Sequence, residues 1–116
     1  MDPIKEALTF DDVTLAPKYS SVLPSEVNTS VKLSKNLNLK IPLLSSAMDT
    51  VTESKMAIEI AKAGGIGVIH RNLSINDQIL EIKKVQKKGL AVGAAVGTND
   101  TAVSYTHLTL PTNREV

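Results

Sequence analysis

Three short apolar runs follow one another along this chain, and an amphipathic segment lies between each pair. The runs are Leu43 to Ala47, Ile66 to Ile69 and Leu90 to Val96, starting about 23 residues apart. Each is too short for a helix and suits a strand buried on both faces. Between the first two, Met56, Ala57, Ile60 and Ala61 recur at helical spacing. Between the second and third, Ile75, Ile79, Ile82 and Val85 form one helical stripe. Each helix has punctuation. Thr50-Val-Thr-Glu53 and Ser74-Ile-Asn-Asp77 are capping-box patterns, Gly64-Gly65 and Gly89 are stops, and Lys83, Lys84, Lys87 and Lys88 sit at the C-terminal end favoured by cations. The order strand, helix, strand, helix, strand implies an α/β fold with a parallel sheet. Three strands do not separate a doubly wound sheet from a (β/α)8 barrel, but both place function at the C-terminal strand ends.

What precedes this repeat differs. Residues 1–41 read as an irregular leader in which Thr9 to Asp12 caps one short turn and Pro17 and Pro24 punctuate the chain. Val31 and Leu33, then Leu37, Leu39 and Ile41, alternate with polar residues around Lys35-Asn36, predicting a hairpin.

The strand ends carry the candidate chemistry: Ser45-Ser46-Ala47-Met48-Asp49, His70-Arg71-Asn72, and Gly93 to Gly97. A strand that turns polar at its loop end presents a site rim. Helix capping accounts equally for Asp49 and Thr50, whereas Met48 suits an adaptable apolar contact. His70 has no partner His or Cys at metal-ligand spacing, so no metal site is expected. The glycines of Gly64 to His70 end a helix and open a strand, the reverse of a dinucleotide fingerprint. With 116 residues, net charge +1 and 3% aromatics, nothing favours nucleic acid. No apolar run approaches a membrane span, the N-terminus lacks a signal-peptide core, and there is no Cys, so the expected location is the cytoplasm.

The segments LTFDDVTLAP, SSAMDTVTE and GGIGVIHRN, in this order, resemble the N-terminal part of the IMP dehydrogenase/GMP reductase family, from about Glu6 to Asp100. The resemblance implies the first three strands and two helices of a (β/α)8 TIM barrel over residues 42–101. It implies oxidation of IMP to XMP with NAD through a covalent cysteine adduct, a monovalent cation (potassium) and a homotetramer. By the same resemblance Ser46 and Met48 match positions that contact the IMP nucleotide. Asp49 and Thr50 match the motif's turn, and His70, Arg71 and Asn72 match the mouth of the active site.

Two departures accompany it. Members commonly insert paired CBS modules between the second helix and the third strand, whereas VQKKGLAVGAAVG runs straight through. GMP reductases also lack the insert and are the nearest rival, although MDTVTE and LTFDDVTLAP favour the dehydrogenase. The family's catalytic cysteine loop and phosphate-binding loops lie beyond the third strand, and this chain contains no Cys nucleophile. An isolated chain of this kind is expected to be inactive and poorly folded or aggregated, since two sheet edges are open. The rival reading is a non-enzymatic α/β fragment. Residues 102–116 also break the pattern. β-Branched residues and Pro111 oppose the helix due there, and one back-translation of Val103 to Thr112 resembles a transposase-type sequencing adapter. These residues are therefore expected to be non-native.

Overall fold

The computed structural model describes residues 1–98, so the expectations for residues 99–116, the non-native tail among them, lie outside the described residues. The leader carries two 3-10 turns, Phe10–Asp12 and Pro24–Glu26, with every residue from Met1 to Asn36 exposed. The first turn is closed as expected, with the backbone N–H of Thr9 donating to Asp12 Oδ2 at 3.2 Å. The hairpin follows as β1 (Val31–Ser34) and β2 (Leu37–Leu39), antiparallel with Val31 opposite Leu39. It is tied to the rest at Lys40 and Ile41, whose N–H groups both donate to the carbonyl of Gly64.

The repeat forms a three-stranded parallel sheet in chain order: β3 (Leu44–Ser45), β4 (Ile66–Ile69) and β5 (Gly93–Ala94). Helices α1 (Ser54–Lys62) and α2 (Ile75–Gln86) connect the strands. Ala57, Ile69, Ile82 and Val85 make the buried core, with Ile58, Leu73, Ile75, Ile79, Leu90, Val92 and Ala94 packed around it. The α2 stripe thus faces the sheet as its period requires. Gly67 lets α1 approach β4 closely: a Cβ there would lie 2.7 Å from Ala57 Cα. Gly64 (φ +104°) and Gly89 (φ +71°) end the two helices in the conformation that disfavours side chains.

Four local expectations are corrected. The strand at Leu43 to Ala47 is not buried on both faces. Ser45 faces α1 and is buried, while Leu44, on the opposite side of the pleat, is 53% exposed because no helix covers that face. The third strand pairs only at Gly93–Ala94, although Leu90 and Val92 still pack on the core. Met56 lies outside the α1 stripe and is 43% exposed, its place on the buried side being taken by Ala57 and Ile58. The capping box Thr50 to Glu53 does not form: Thr50 sits in a turn, and Glu53 is itself the N-cap residue, with its side chain turned elsewhere. In α2 the box is half present, with Ser74 Oγ accepting from the N–H of Asp77 at 3.1 Å.

Candidate functional site

The C-terminal ends of β3 and β4 bring two loops together. The first, Ser46 to Glu53, folds into a tight turn around the Met48 carbonyl, which accepts from the N–H groups of Val51 and Thr52, each at 3.0 Å. Thr52 is fully buried. Its hydroxyl donates to the Ser46 carbonyl and lies 2.8 Å from the Ser45 hydroxyl, so the turn is pinned to the end of β3 from beneath. A hydroxyl can serve as donor and acceptor at once, which suits this buried position. Ser46, Met48, Asp49 and Thr50 stand exposed above it, Met48 at 53%.

The second loop begins at His70, whose side chain is only 2% exposed. The N–H of Asn72 donates to Nδ1 at 3.1 Å, and Nε2 lies 2.9 Å from Glu53 Oε1. Because Nδ1 accepts, the proton belongs on Nε2, which donates to Glu53. Asn72 Nδ2 donates to Asp49 Oδ2 at 3.1 Å, closing the gap between the loops from outside. Arg71 is exposed beside it.

The rim residues expected from sequence therefore assemble, with one division among them. Ser46, Met48, Asp49, Thr50, Arg71 and Asn72 face outward, whereas His70 is interior and both its nitrogens are engaged by the protein. On the outer side of the first loop lies a cleft of about 450 Å³ bordered by Asp49, Thr50, Val51, Glu53 and Met56. Among the described residues no group of His, Cys, Asp or Glu could hold a metal ion.

Two supporting residues were not expected. Gln78 is buried, and its Nε2 donates to the carbonyls of His70 (3.1 Å) and Ala95 (2.9 Å), with that of Ile69 at 3.5 Å. One amide thus joins the ends of β4 and β5 where strand pairing has stopped. Its signal was available, since position 78 falls on the stripe of Ile75, Ile79 and Ile82 and breaks it with a polar residue. The second is Glu81, which reaches across to α1. Burial works against its charge, but hydrogen bonds from Lys84 and Ser54 outweigh that and hold its carboxyl down at about 2.

The model of the IMP dehydrogenase / GMP reductase domain matches residues 7–112. The chain belongs to this family. It is 68% identical over 82 residues to an inosine-5'-monophosphate dehydrogenase of Borreliella burgdorferi, covering 71% of this chain and 20% of that protein. It is 53% identical over 102 residues to the enzyme of the same name from Aquifex aeolicus, covering 86% of this chain and 21% of the relative. The Staphylococcus saprophyticus relative is 59% identical over 83 residues, 72% of this chain and 17% of its own length. The chain therefore spans about a fifth of the curated relatives it matches. The family assignment agrees with the mixed α/β fold, and among the described residues no helix is long and apolar enough to cross a membrane.

Proposed function

We propose that this chain is the N-terminal, substrate-facing part of a (β/α)8 barrel that oxidises IMP to XMP with NAD. The observation that supports this best is the convergence of Ser46 to Thr50 and Arg71-Asn72 at adjacent parallel-strand ends, bridged by Asn72 and Asp49. In a barrel this is the face where loops build the active site. Ser46 and Met48 contact the nucleotide, the hydroxyl as a polar partner and the thioether against an apolar face. Asp49 and Thr50 shape the turn, and Arg71 and Asn72 line the mouth. Leu44 occupies the face opposite α1, the side that would point into the barrel interior.

Oxidation needs a nucleophile for the covalent adduct, and no Cys is present in this chain. The chain's part in the reaction is therefore binding and orientation of IMP, and by itself it is inactive. NAD accepts the hydride in the family's chemistry. No described residue is assigned to NAD or to potassium. Assembly as a homotetramer and a cytoplasmic location belong to the same proposal. A GMP reductase shares the family model, but the relatives compared carry the dehydrogenase name.

The test is an IMP titration of residues 7–98 of this chain, ¹⁵N-labelled and joined to the remainder of the Borreliella burgdorferi relative, which supplies the rest of the barrel. Amide shifts confined to Ser46 to Thr50 and Arg71-Asn72 are expected, and they should be lost in Ser46→Ala. Shifts scattered over α2, or none at all, contradict the assignment.

A further inference from the structure

We infer that His70 is a positioning residue for the nucleotide-contact loop rather than a member of the rim. This deepens the proposed function and rests on its reading of Ser46 and Met48 as nucleotide contacts.

The ring is the largest buried polar side chain at this end of the sheet, 2% exposed, and it has no nitrogen to spare for a ligand. Nε2–H donates to the carboxylate of Glu53, the residue that closes the Ser46 to Glu53 loop and stands at the N-cap position of α1 without capping it. Nδ1 accepts from the N–H of Asn72, which sets the course of the second loop. Asn72 then reaches back to Asp49 at the crown of the first loop. Asp49, Asn72, His70 and Glu53 thus form a closed circuit, with the Met48 turn held inside it. The base of the circuit is anchored as well. The His70 carbonyl accepts from Gln78, and Thr52 is locked to Ser45 and Ser46. His70, Thr52 and Gln78 are the buried members, while Glu53, Asn72 and Asp49 reach the surface. A buried ring with both nitrogens satisfied favours one arrangement of the groups it holds.

The imidazole carries two separable duties, which gives the proposal a specific test. A Gln side chain places its amide N–H near the position of Nε2 and lacks the Nδ1 acceptor. An Asn side chain places its carbonyl near Nδ1 and does not reach Glu53. In the full 116-residue chain, ring ¹⁵N spectra are expected to show Nε2 protonated and Nδ1 bare. In His70→Asn, hydrogen exchange at the Val51 and Thr52 amides should quicken about tenfold, the loss of one net hydrogen bond, while Asn72 keeps its protection. In His70→Gln the pattern should reverse. In the joined protein, the IMP response at Ser46 and Met48 should weaken about tenfold in His70→Asn and be partly retained in His70→Gln.

A ring that interconverts between tautomers overturns the inference, as does exchange that rises equally in both variants and throughout α2, which is general destabilisation. If the joined protein with His70 intact gives no IMP response, the nucleotide reading falls, and the exchange split alone decides whether His70 positions the loop.

Discussion

The carboxylate of Glu81 in α2 accepts a hydrogen bond from the backbone N–H of Ser54, the first residue of α1, at 2.8 Å and across 27 residues of sequence. Helix α1 is therefore capped from its neighbour. Its own N-cap residue, Glu53, has its carboxylate on His70. One contact satisfies an orphan donor, complements the α1 dipole and fixes the two helices against each other.

This contact predicts an acid-sensitive stability. Burial opposes the Glu81 charge, but hydrogen bonds from Lys84 and Ser54 lower the carboxyl from 4.5 to about 2. A carboxyl lowered by folding stabilises fully above its unfolded value, and that stabilisation is lost as pH falls from about 4.5 toward about 2. Glu81→Gln should cost about 1–2 kcal/mol at neutral pH. Thermal melts of both proteins across this range should show the gap closing in acid. A gap that stays constant down to about pH 2 contradicts the assignment.

Gly67 predicts a steric limit. A Cβ would meet Ala57 Cα at 2.7 Å and Cβ at 2.8 Å, whereas at Gly89 nothing lies within 4 Å. Gly67→Ala should cost about 1–3 kcal/mol through overpacking. Gly89→Ala meets only the penalty of its positive φ, about 1 kcal/mol. Melting temperatures should rank wild type, then Gly89→Ala, then Gly67→Ala. The reverse order of the two variants would mean that α1 does not sit this close to β4.

Much of this architecture was legible in the sequence because it depends on local periodicity. Ile75, Ile79, Ile82 and Val85 were assigned to one buried face, and they are on it. Gly64 and Gly89 stop the helices, Ser74 caps α2, and Lys35-Asn36 turns the hairpin. The misses share a cause. A capping box relates residues three apart, so it assigned Glu53 to its own helix and could not register His70, 17 residues further on. For the same reason nothing in the spacing revealed that Glu81 caps α1. An apolar run shows that Leu44 is suited to burial but not that its covering element is close by. At the rim, residue type marked the polar strand end from Ser45 to Asp49, and the resemblance singled out Ser46 and Met48 within it. The division between exposed Asn72 and buried His70 depends on tertiary packing.

Gln78 predicts a cost for removing a single amide. Gln78→Leu keeps the volume but leaves the carbonyls of His70 and Ala95 without this donor. Urea unfolding should show a loss of about 2–4 kcal/mol, since a stranded buried acceptor costs about 1–3 kcal/mol. Unchanged or increased stability would show that apolar packing outweighs these bonds.

The exposed apolar surface predicts self-association. Leu43 and Leu44 are 56% and 53% exposed at one sheet edge, and Phe10, Leu15 and Tyr19 in the leader are each more than 90% exposed. Open strand edges and apolar patches favour pairing between copies. Sedimentation velocity should show species larger than the monomer that grow with concentration and shrink in Leu44→Lys. A single monomeric boundary at every concentration contradicts this.

The most direct measurement is a chimera in which residues 7–98 of this chain replace the matching segment of the Borreliella burgdorferi relative, assayed for NADH formation with IMP. The account predicts a soluble enzyme with IMP-dependent NADH formation. Ser46→Ala in that chimera should raise KM for IMP about tenfold, the equivalent of one lost hydrogen bond. A soluble, folded chimera that makes no NADH, or one whose KM ignores Ser46, would contradict the claim that this chain forms the substrate-facing rim.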